Sequence, residues 1–165
     1  MSNPFKIENA RLMFPTIYEP KPFKPGNPPK YSADLVIAPT NPSWELFQKM
    51  RDAQATEKWA DMAPAVLKQA TGDKKLRCYG NGDEKLNQKT MEVYEGYPGM
   101  QYITASAGED DQPTLFDMEG VKIDLHDALS NPVKFYGGCY VNALVSLWPQ
   151  DNTYGKAIRC NLLAL

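Results

Sequence analysis

The sequence predicts a mainly β fold, a small barrel of strands with a helical insertion. Three observations support this class. Apolar and polar residues alternate near both ends of the chain, only one central region has strong helical spacing, and the last third has the pattern of a long hairpin. With 165 residues, the chain has the length of one domain that can bury a core without a disulfide or a metal.

Two strands are predicted near the start of the chain. The first covers Phe5 to Phe14 and is expected to stop at Pro15. The second covers Lys30 to Ala38. Residues 15–30 between them are rich in proline, which forbids regular structure, so we expect a long and pre-extended loop. The inward-pointing residues of the second strand are Tyr31, Ala33, Leu35 and Ile37.

The helical insertion follows the second strand. Asn41-Pro42-Ser43 supplies the chemistry of a helix start. A second helical piece is predicted from about Trp59 to Gln69, before an irregular or hairpin-like excursion over residues 74–97. A further strand is predicted from Met100 to Ala107. The residues that repeat at three- and four-residue spacing on the first helix are Trp44, Phe47, Met50 and Arg51.

The last third of the chain predicts a hairpin with one apolar face and one aromatic, basic face. After a turn at residues 149–153, Ile158, Cys160 and Leu162 rejoin the core, while Arg159 and Asn161 point away. Rings interleaved with cations suit stacking on nucleic-acid bases, but the same rings also suit packing under a loop or at the barrel end. The inward set is Val133, Phe135, Cys139, Val141, Ala143, Val145 and Leu147, and the outward set is Lys134, Tyr136, Tyr140, Asn142, Ser146 and Trp148.

The charge and composition of the chain limit the kinds of partner and the cellular compartment that we expect. The net charge is −2, but seven acidic residues and one lysine give residues 109–127 a net charge of −6, so the rest of the chain is modestly basic. The cysteines Cys78, Cys139 and Cys160 form no paired motif and are expected to be reduced core residues. No apolar run is long enough for a membrane span, and the first residues lack the features of a signal peptide. We therefore expect a soluble, intracellular protein.

The residues that most enzyme classes require are missing. His126 is the sole histidine, and no phosphate-binding loop motif is found. The carboxylates near Asp111 and Asp117 leave a metal-dependent nuclease as a weak alternative, because hard cations bind carboxylate oxygens. The order of elements is compatible with an OB-fold and leaves other barrels and sandwiches open.

Four stretches of the chain, in this order and spacing, resemble a family of tailed-phage single-stranded-DNA-binding proteins. They are ENARLMFPTIYEP, KYSADLVIAPT, YPGMQYITAS and FYGGCYVNALVSLW followed by YGKAIRCNLLAL. The resemblance covers nearly the whole chain. It implies one domain over residues 1–165: a five-stranded OB-fold barrel with helices inserted after the second strand and a long C-terminal hairpin. It also implies sequence-independent binding of single-stranded DNA during phage replication, recombination or repair, in the cytoplasm of the infected bacterium.

Related phage and bacterial single-stranded-DNA-binding proteins usually end in a flexible acidic tail that recruits replication proteins of the phage or host. This chain stops at Leu165 inside a predicted strand, so we expect that tail to be absent or removed. The expected partner is single-stranded DNA, recruitment of replication proteins would need the missing tail, and no membrane partner is expected.

The expected mechanism is passive, with rings under bases, cations on phosphates, and no catalytic residue, cofactor or metal. The alternative to binding is a phage particle component that uses the same scaffold for protein contacts. The residues predicted to stack on bases are Tyr79, Tyr94, Tyr102, Tyr136, Tyr140, Trp148 and Tyr154. The residues predicted to contact phosphates are Lys30, Arg77, Lys134, Lys156 and Arg159.

Overall fold

A computed structural model describes residues 3–124 and 135–165 of the chain. The strands are β1 (Phe5–Pro22), β2 (Pro29–Ile37), β3 (Tyr79–Asn81), β4 (Gln101–Gly108), β5 (Tyr140–Asn152) and β6 (Gly155–Ala164). The helices are α1 (Pro42–Trp59) and α2 (Ala63–Gly72), with short 3-10 turns at Ala60–Met62, Lys74–Leu76 and Gly82–Glu84. The predicted class, mainly β with helices inserted after the second strand, is confirmed.

The strands close into a barrel. They lie in the order β2-β1-β5-β6-β4-β3, and β2 also pairs with β4, so β1, β2, β4, β6 and β5 form a ring. Every pair in the ring is antiparallel except β4 with β6, which meet in a parallel pairing of Ser106 with Asn161. This is the five-stranded arrangement of an OB-fold barrel, with β3 added at the edge of β4.

The prediction that Pro15 ends the first strand was wrong. β1 continues to Pro22 because its pairing with β2 is irregular between Met13 and Thr16, where the ladder does not need the N–H that proline lacks. Phe14 occupies this bulge with a φ of +49°. The long loop predicted over residues 15–30 is therefore mostly a β1–β2 hairpin, and its tip is residues 23–28.

The start of α1 is tied to β1. The Asn41 side chain accepts a hydrogen bond from Ser43 N at 2.9 Å, which caps the helix as predicted. Asn41 Nδ2 also donates to Glu8 O, and Ser43 Oγ accepts from Glu8 N, each at 2.9 Å. The second helix begins at Ala63, later than the predicted Trp59, because Trp59 ends α1 and its Nε1 donates to Asp151 Oδ2 at 3.1 Å.

The C-terminal hairpin has the predicted inner face. Phe135, Cys139 and the inward residues of β5 and β6 are buried or, for Val141, packed against the core. Ser146 is a correction: it was expected at the surface, but it is 1% exposed and its Oγ has no hydrogen-bond partner. The strand also runs to Asn152, so the turn is tighter than predicted, at residues 153–154. Val133 and Lys134 lie outside the described residues.

The three cysteines are free and buried, as expected. Burial raises the pKa of the Cys78 thiol to about 12 and the pKa of the Cys160 thiol well above its usual range. Both thiols therefore stay protonated at neutral pH.

Residues 82–100 fold over the outer face of β2 and β4. Tyr97 in this segment is fully buried against Val36 and Tyr102, and Leu86 pairs with Val93 in the hairpin-like arrangement expected of the excursion. The segment thus converts the outer face of two barrel strands into a second, smaller core. The end of the segment that carries Tyr94 and Gly96 lies beside β1, where Tyr94 meets Phe14 and Gly96 approaches Arg11.

Candidate nucleic-acid interface

Arg11 lies on the outer face of β1, held between two glycines. Its Nε donates to Gly138 O at 3.2 Å. A Cβ atom on Gly96 would lie 2.8 Å from Nη1, and one on Gly138 would lie 3.3 Å from Nη2. Both glycines have positive φ, +90° and +103°, which favours glycine at these positions. The guanidinium is therefore fixed by close approach of backbone on both sides.

The Nη groups of Arg11 are available for an anion. Among residues 3–124 and 135–165, the acidic side chains that form ion pairs do so with Lys49, Arg51, Arg77 and Lys85, and none pairs with Arg11. A guanidinium with a fixed orientation and open donors is suited to bind a phosphate group, because its fork matches two phosphate oxygens.

Exposed aromatic rings lie on the backbone segments next to Arg11. Tyr140 lies opposite Arg11 in the β1–β5 ladder and is 70% exposed. Tyr136, in the turn before β5, is 57% exposed, and Phe14 is 50% exposed. The ring of Phe14 meets that of Tyr94 edge-on, with centroids 4.8 Å apart. We call Arg11, Phe14, Tyr94, Tyr136 and Tyr140 the Arg11 surface.

The bulge in β1 presents Phe14 to solvent. A phenylalanine at positive φ is strained, and such strain persists where the surrounding structure enforces it. The turn before β5 lies against the same bulge, since a Cβ on Gly137 would be 3.9 Å from Pro15 Cδ. The two irregular backbone segments, which carry Phe14 and Tyr136, thus pack against each other next to Arg11.

A groove of about 1070 Å³ leads from Tyr140 along β5. Its floor includes Asn142 and Leu144, and Lys6 and Asn9 of β1 line one side. Asn142 Oδ1 accepts a hydrogen bond from Asn9 N at 2.9 Å, which joins floor and wall. The opposite side carries apolar and acidic residues, so its basic character is confined to the β1 side. The residues on that opposite side are Phe116, Asp117, Met118, Glu119 and Gly120.

Comparison with known proteins identifies the family. Residues 3–165 match the family described as "Enterobacter phage Enc34, ssDNA-binding protein". The chain belongs to this family. The predicted resemblance is thereby confirmed.

A relative and two solved structures extend the comparison. Protein p50 of Acyrthosiphon pisum secondary endosymbiont phage 1 is 27% identical over 161 residues, which is 95% of this chain and 78% of p50. The single-stranded DNA-binding protein of bacteriophage Enc34 in complex with ssDNA has a TM-score of 0.67 at 22% identity, over 98% of this chain and 83% of that one. The protein gp2.5 of bacteriophage T7, a single-stranded DNA-binding protein, has a TM-score of 0.60 at 14% identity, over 99% and 85%. At these identities the structural likenesses establish the fold.

Three of the residues predicted to stack on bases lie on one surface of this protein. Tyr94, Tyr136 and Tyr140 belong to the Arg11 surface. Tyr79 and Tyr102, each 7% exposed, do not: Tyr79 packs against Phe47, and Lys85 Nζ lies 4.5 Å above the Tyr102 ring. Their faces are covered, so we leave both out of the interface.

The remaining predicted rings lie at the far end of the hairpin. Trp148 is half-buried and pairs in register with Arg159, while Tyr154 is 86% exposed at the turn. At about 3.4 Å per residue, the strand between Tyr140 and this turn is roughly 40 Å long. Both groups therefore contact one ligand only if it extends along most of the barrel.

Arg77, one of the residues predicted to contact phosphates, instead bonds to neighbouring residues of the fold. Its Nη1 lies 2.8 Å from Glu84 Oε2, it also donates to Ala70 O and Tyr79 O, and its side chain is 7% exposed. The hydrogen bond to Glu84 raises the pKa of the Arg77 guanidinium. The remaining donors of Arg77 are therefore not presented to a ligand, and we leave it out of the interface.

The other predicted cations are dispersed. Arg159 donates to Gln150 Oε1 at 3.0 Å and to Lys75 O at 2.6 Å. Lys156 pairs in register with Asp151 near the hairpin turn. Lys30 is exposed beside Lys21, next to the β1–β2 tip. Lys134 lies outside the described residues.

Sequence reasoning missed Arg11 and Phe14. Arg11 could have been found from strand parity, since Leu12 beside it points inward and Arg11 therefore points out. The partner that fixes its guanidinium, Gly138, is 127 residues away, and sequence pattern does not reveal such a contact. Phe14 is the predicted end of the first strand, whereas the structure places it in a bulge within β1.

Within residues 3–124 and 135–165, no group of three or more histidine, cysteine, aspartate or glutamate side chains is arranged to hold a metal ion. No described helix is long and apolar enough to cross a membrane.

Proposed function

We propose that this protein binds single-stranded DNA without sequence preference, and that the Arg11 surface is the centre of the binding site. The observation that carries the proposal is the fixed guanidinium of Arg11, which forms no ion pair with residues 3–124 or 135–165, together with the exposed rings on the adjacent segments. Membership of a family described as ssDNA-binding proteins supports it. The expected setting is phage replication, recombination or repair in the cytoplasm of the infected bacterium.

The chemistry of the surface favours an extended single strand. Each stacked base contributes about 1–3 kcal/mol and every base has a flat face, so two or three rings supply affinity with little sequence selectivity. The Arg11 fork supplies a phosphate contact between them. A duplex keeps its bases stacked on one another, so its bases are not available to Tyr136, Tyr140 and Phe14. Binding requires no bond to be made or broken.

The position of the surface follows from the barrel. OB-folds bind oligonucleotides on the face of their second and third strands and with the loops beside it. Here those strands are β2 and β4, and residues 82–100 cover their outer face. This cover supports a proposed binding surface at the edge of that segment, where β1 and β5 carry Arg11 and Tyr140. Lys30, Trp148, Tyr154, Lys156 and Arg159 remain proposed outer contacts for a longer strand.

The test is a titration of a labelled thymidine oligomer, followed by fluorescence anisotropy at several salt concentrations, with the matching duplex as competitor. Arg11→Ala should weaken single-strand binding and reduce the magnitude of the log–log salt slope by about 0.7, the value for one phosphate contact. Lys49→Ala is the matched control, because it removes the same charge from an exposed position on α1. Equal effects of the two variants, or equal affinity for duplex and single strand, would contradict the proposal.

A further inference from the structure

Asp34 is a buried carboxylate that joins β2 to the segment above it. It is 5% exposed. Its Oδ2 accepts a hydrogen bond from Tyr97 Oη at 2.5 Å and lies 3.1 Å from Lys85 Nζ. Its Oδ1 accepts from Thr104 Oγ1 at 2.7 Å. Two of these three partners, Tyr97 and Lys85, belong to residues 82–100.

Tyr97 in turn supports the rings of the Arg11 surface. Its ring centroid lies 6.2 Å from that of Phe14 and 6.3 Å from that of Tyr94. Tyr97 N donates to Tyr94 O, and Tyr94 N donates to Lys85 O, so the two residues that bind Asp34 flank Tyr94 along the backbone. Gly96, immediately before Tyr97, is the glycine that approaches Arg11 Nη1.

We propose that Asp34 is a positioning residue for strand binding, because it anchors the segment that places Tyr94 and Gly96 against Phe14 and Arg11. The proposal rests on the proposed function. Asp34 itself does not touch the ligand. Its contribution passes through Tyr97 and Lys85 to the edge of the segment.

Electrostatics and positioning predict opposite signs for the loss of this carboxylate. Removing a negative charge close to a site for a polyanion should strengthen binding, most clearly at low salt. If Asp34 acts by anchoring, its replacement should instead weaken binding, because asparagine has no charge to pair with Lys85 and accepts a weaker hydrogen bond from Tyr97. Its NH2 group also cannot accept from Thr104. The direction of the change therefore separates the two effects.

The experiment compares Asp34→Asn and Tyr97→Phe with the unaltered protein in the thymidine-oligomer titration. Both variants should lose affinity by roughly five- to tenfold, a size typical of changes that act through packed neighbours. Tyr97→Phe keeps the ring and the charge of the site and removes only the hydroxyl, so it remains informative if Asp34→Asn folds poorly. Leu162→Ala, a buried change in β6, is the control for loss of stability alone and should leave affinity unchanged.

If Asp34 only stabilised the fold, the effect of its replacement on DNA affinity would not depend on the presence of Arg11. In an Arg11→Ala background, the effect of Asp34→Asn on affinity should shrink, since the group that is being positioned is gone. Hydrogen exchange of the free protein gives a second readout: amides of residues 82–100, including Tyr94 N, should exchange faster in Asp34→Asn, while those of β5 and β6 stay unchanged.

The outcomes are distinct. Faster exchange with weaker, Arg11-dependent binding supports the proposal. Unchanged exchange, unchanged affinity or tighter binding overturns it, while binding by the unaltered protein would still uphold the proposed function. Absence of strand binding by the unaltered protein overturns the proposed function itself, and positioning for strand binding fails with it.

Discussion

A Cβ atom on Gly96 would come within 2.8 Å of Arg11 Nη1. That contact predicts that Gly96→Ala pushes the guanidinium out of place and weakens single-strand binding. Gly99→Ala is a matched control in the same segment: its φ of +73° imposes a similar strain, but nothing lies within 4 Å of the added methyl group. Both variants should lose about 1 kcal/mol of stability or somewhat more, as expected for alanine at positive φ. Only Gly96→Ala should change the dissociation constant, and equal affinities for the two would contradict the role given to Arg11.

Tyr140 should act through the flat face of its ring. Tyr140→Ala is expected to weaken the binding free energy for a thymidine oligomer by about 1–3 kcal/mol, the usual contribution of one stacked base. Tyr140→Phe keeps the face and should bind nearly as well. The fold should tolerate both, since the side chain is 70% exposed. Strong loss in Tyr140→Phe would mean that the hydroxyl, not stacking, is responsible.

Arg77 should matter for stability and not for the salt dependence of binding. Its guanidinium joins Glu84 to the carbonyls of Ala70 and Tyr79, so Arg77→Ala removes an ion pair and two hydrogen bonds to backbone. We expect the unfolding free energy to fall by about 1–3 kcal/mol in a urea titration, the usual range for loss of hydrogen bonds to a charged group. The salt slope for ssDNA should stay that of the unaltered protein. A reduced slope would restore Arg77 to the binding site.

Alkaline pH should destabilise the fold through its buried tyrosines. Burial, with Glu84 nearby, raises the pKa of Tyr102 to about 12, while an unfolded tyrosine titrates near 10. The unfolded chain then loses protons first, so this stabilisation is present below about pH 10 and is lost as the pH rises toward about 12. Tyr97, whose pKa burial and Asp34 raise further, acts in the same direction.

The measurement is the urea midpoint at about pH 8, 10 and 11, for the unaltered protein and Tyr102→Phe. The variant lacks one of the titrating groups, so its stability should fall less steeply across this range. If the urea midpoints of the two proteins fell equally with pH, Tyr102 would have the same pKa in the folded and unfolded chain, and the prediction would be wrong.

Alternation along the strands was readable because burial on one face imposes a period of two. Leu147 and Cys160 were placed correctly on that basis alone. The sequence does not show whether an outward-pointing ring is exposed to solvent. Tyr79 and Tyr102 are predicted to be exposed, but Phe47 and Lys85, which come from other segments of the chain, cover their rings.

Irregular backbone explains most of what was missed. Pro15 predicts a strand end because proline lacks an N–H donor, yet a bulge removes the need for that donor. The same bulge exposes Phe14. Arg11 acquires its fixed geometry from Gly96 and Gly138, which meet it only in the folded barrel.

The pairing of β1 with β5 sets the order of events during synthesis. Asn9 bonds to Asn142, 133 residues later, so the first strand leaves the ribosome long before its partner exists. At typical rates of translation this interval is on the order of ten seconds. The side of β1 that packs against β5 stays exposed over that time, while β2 and α1, which follow β1 directly in the chain, can already pack against it. Closure of the barrel is therefore a late step, and overproduction of the protein at lower temperature with abundant chaperone should raise its soluble yield.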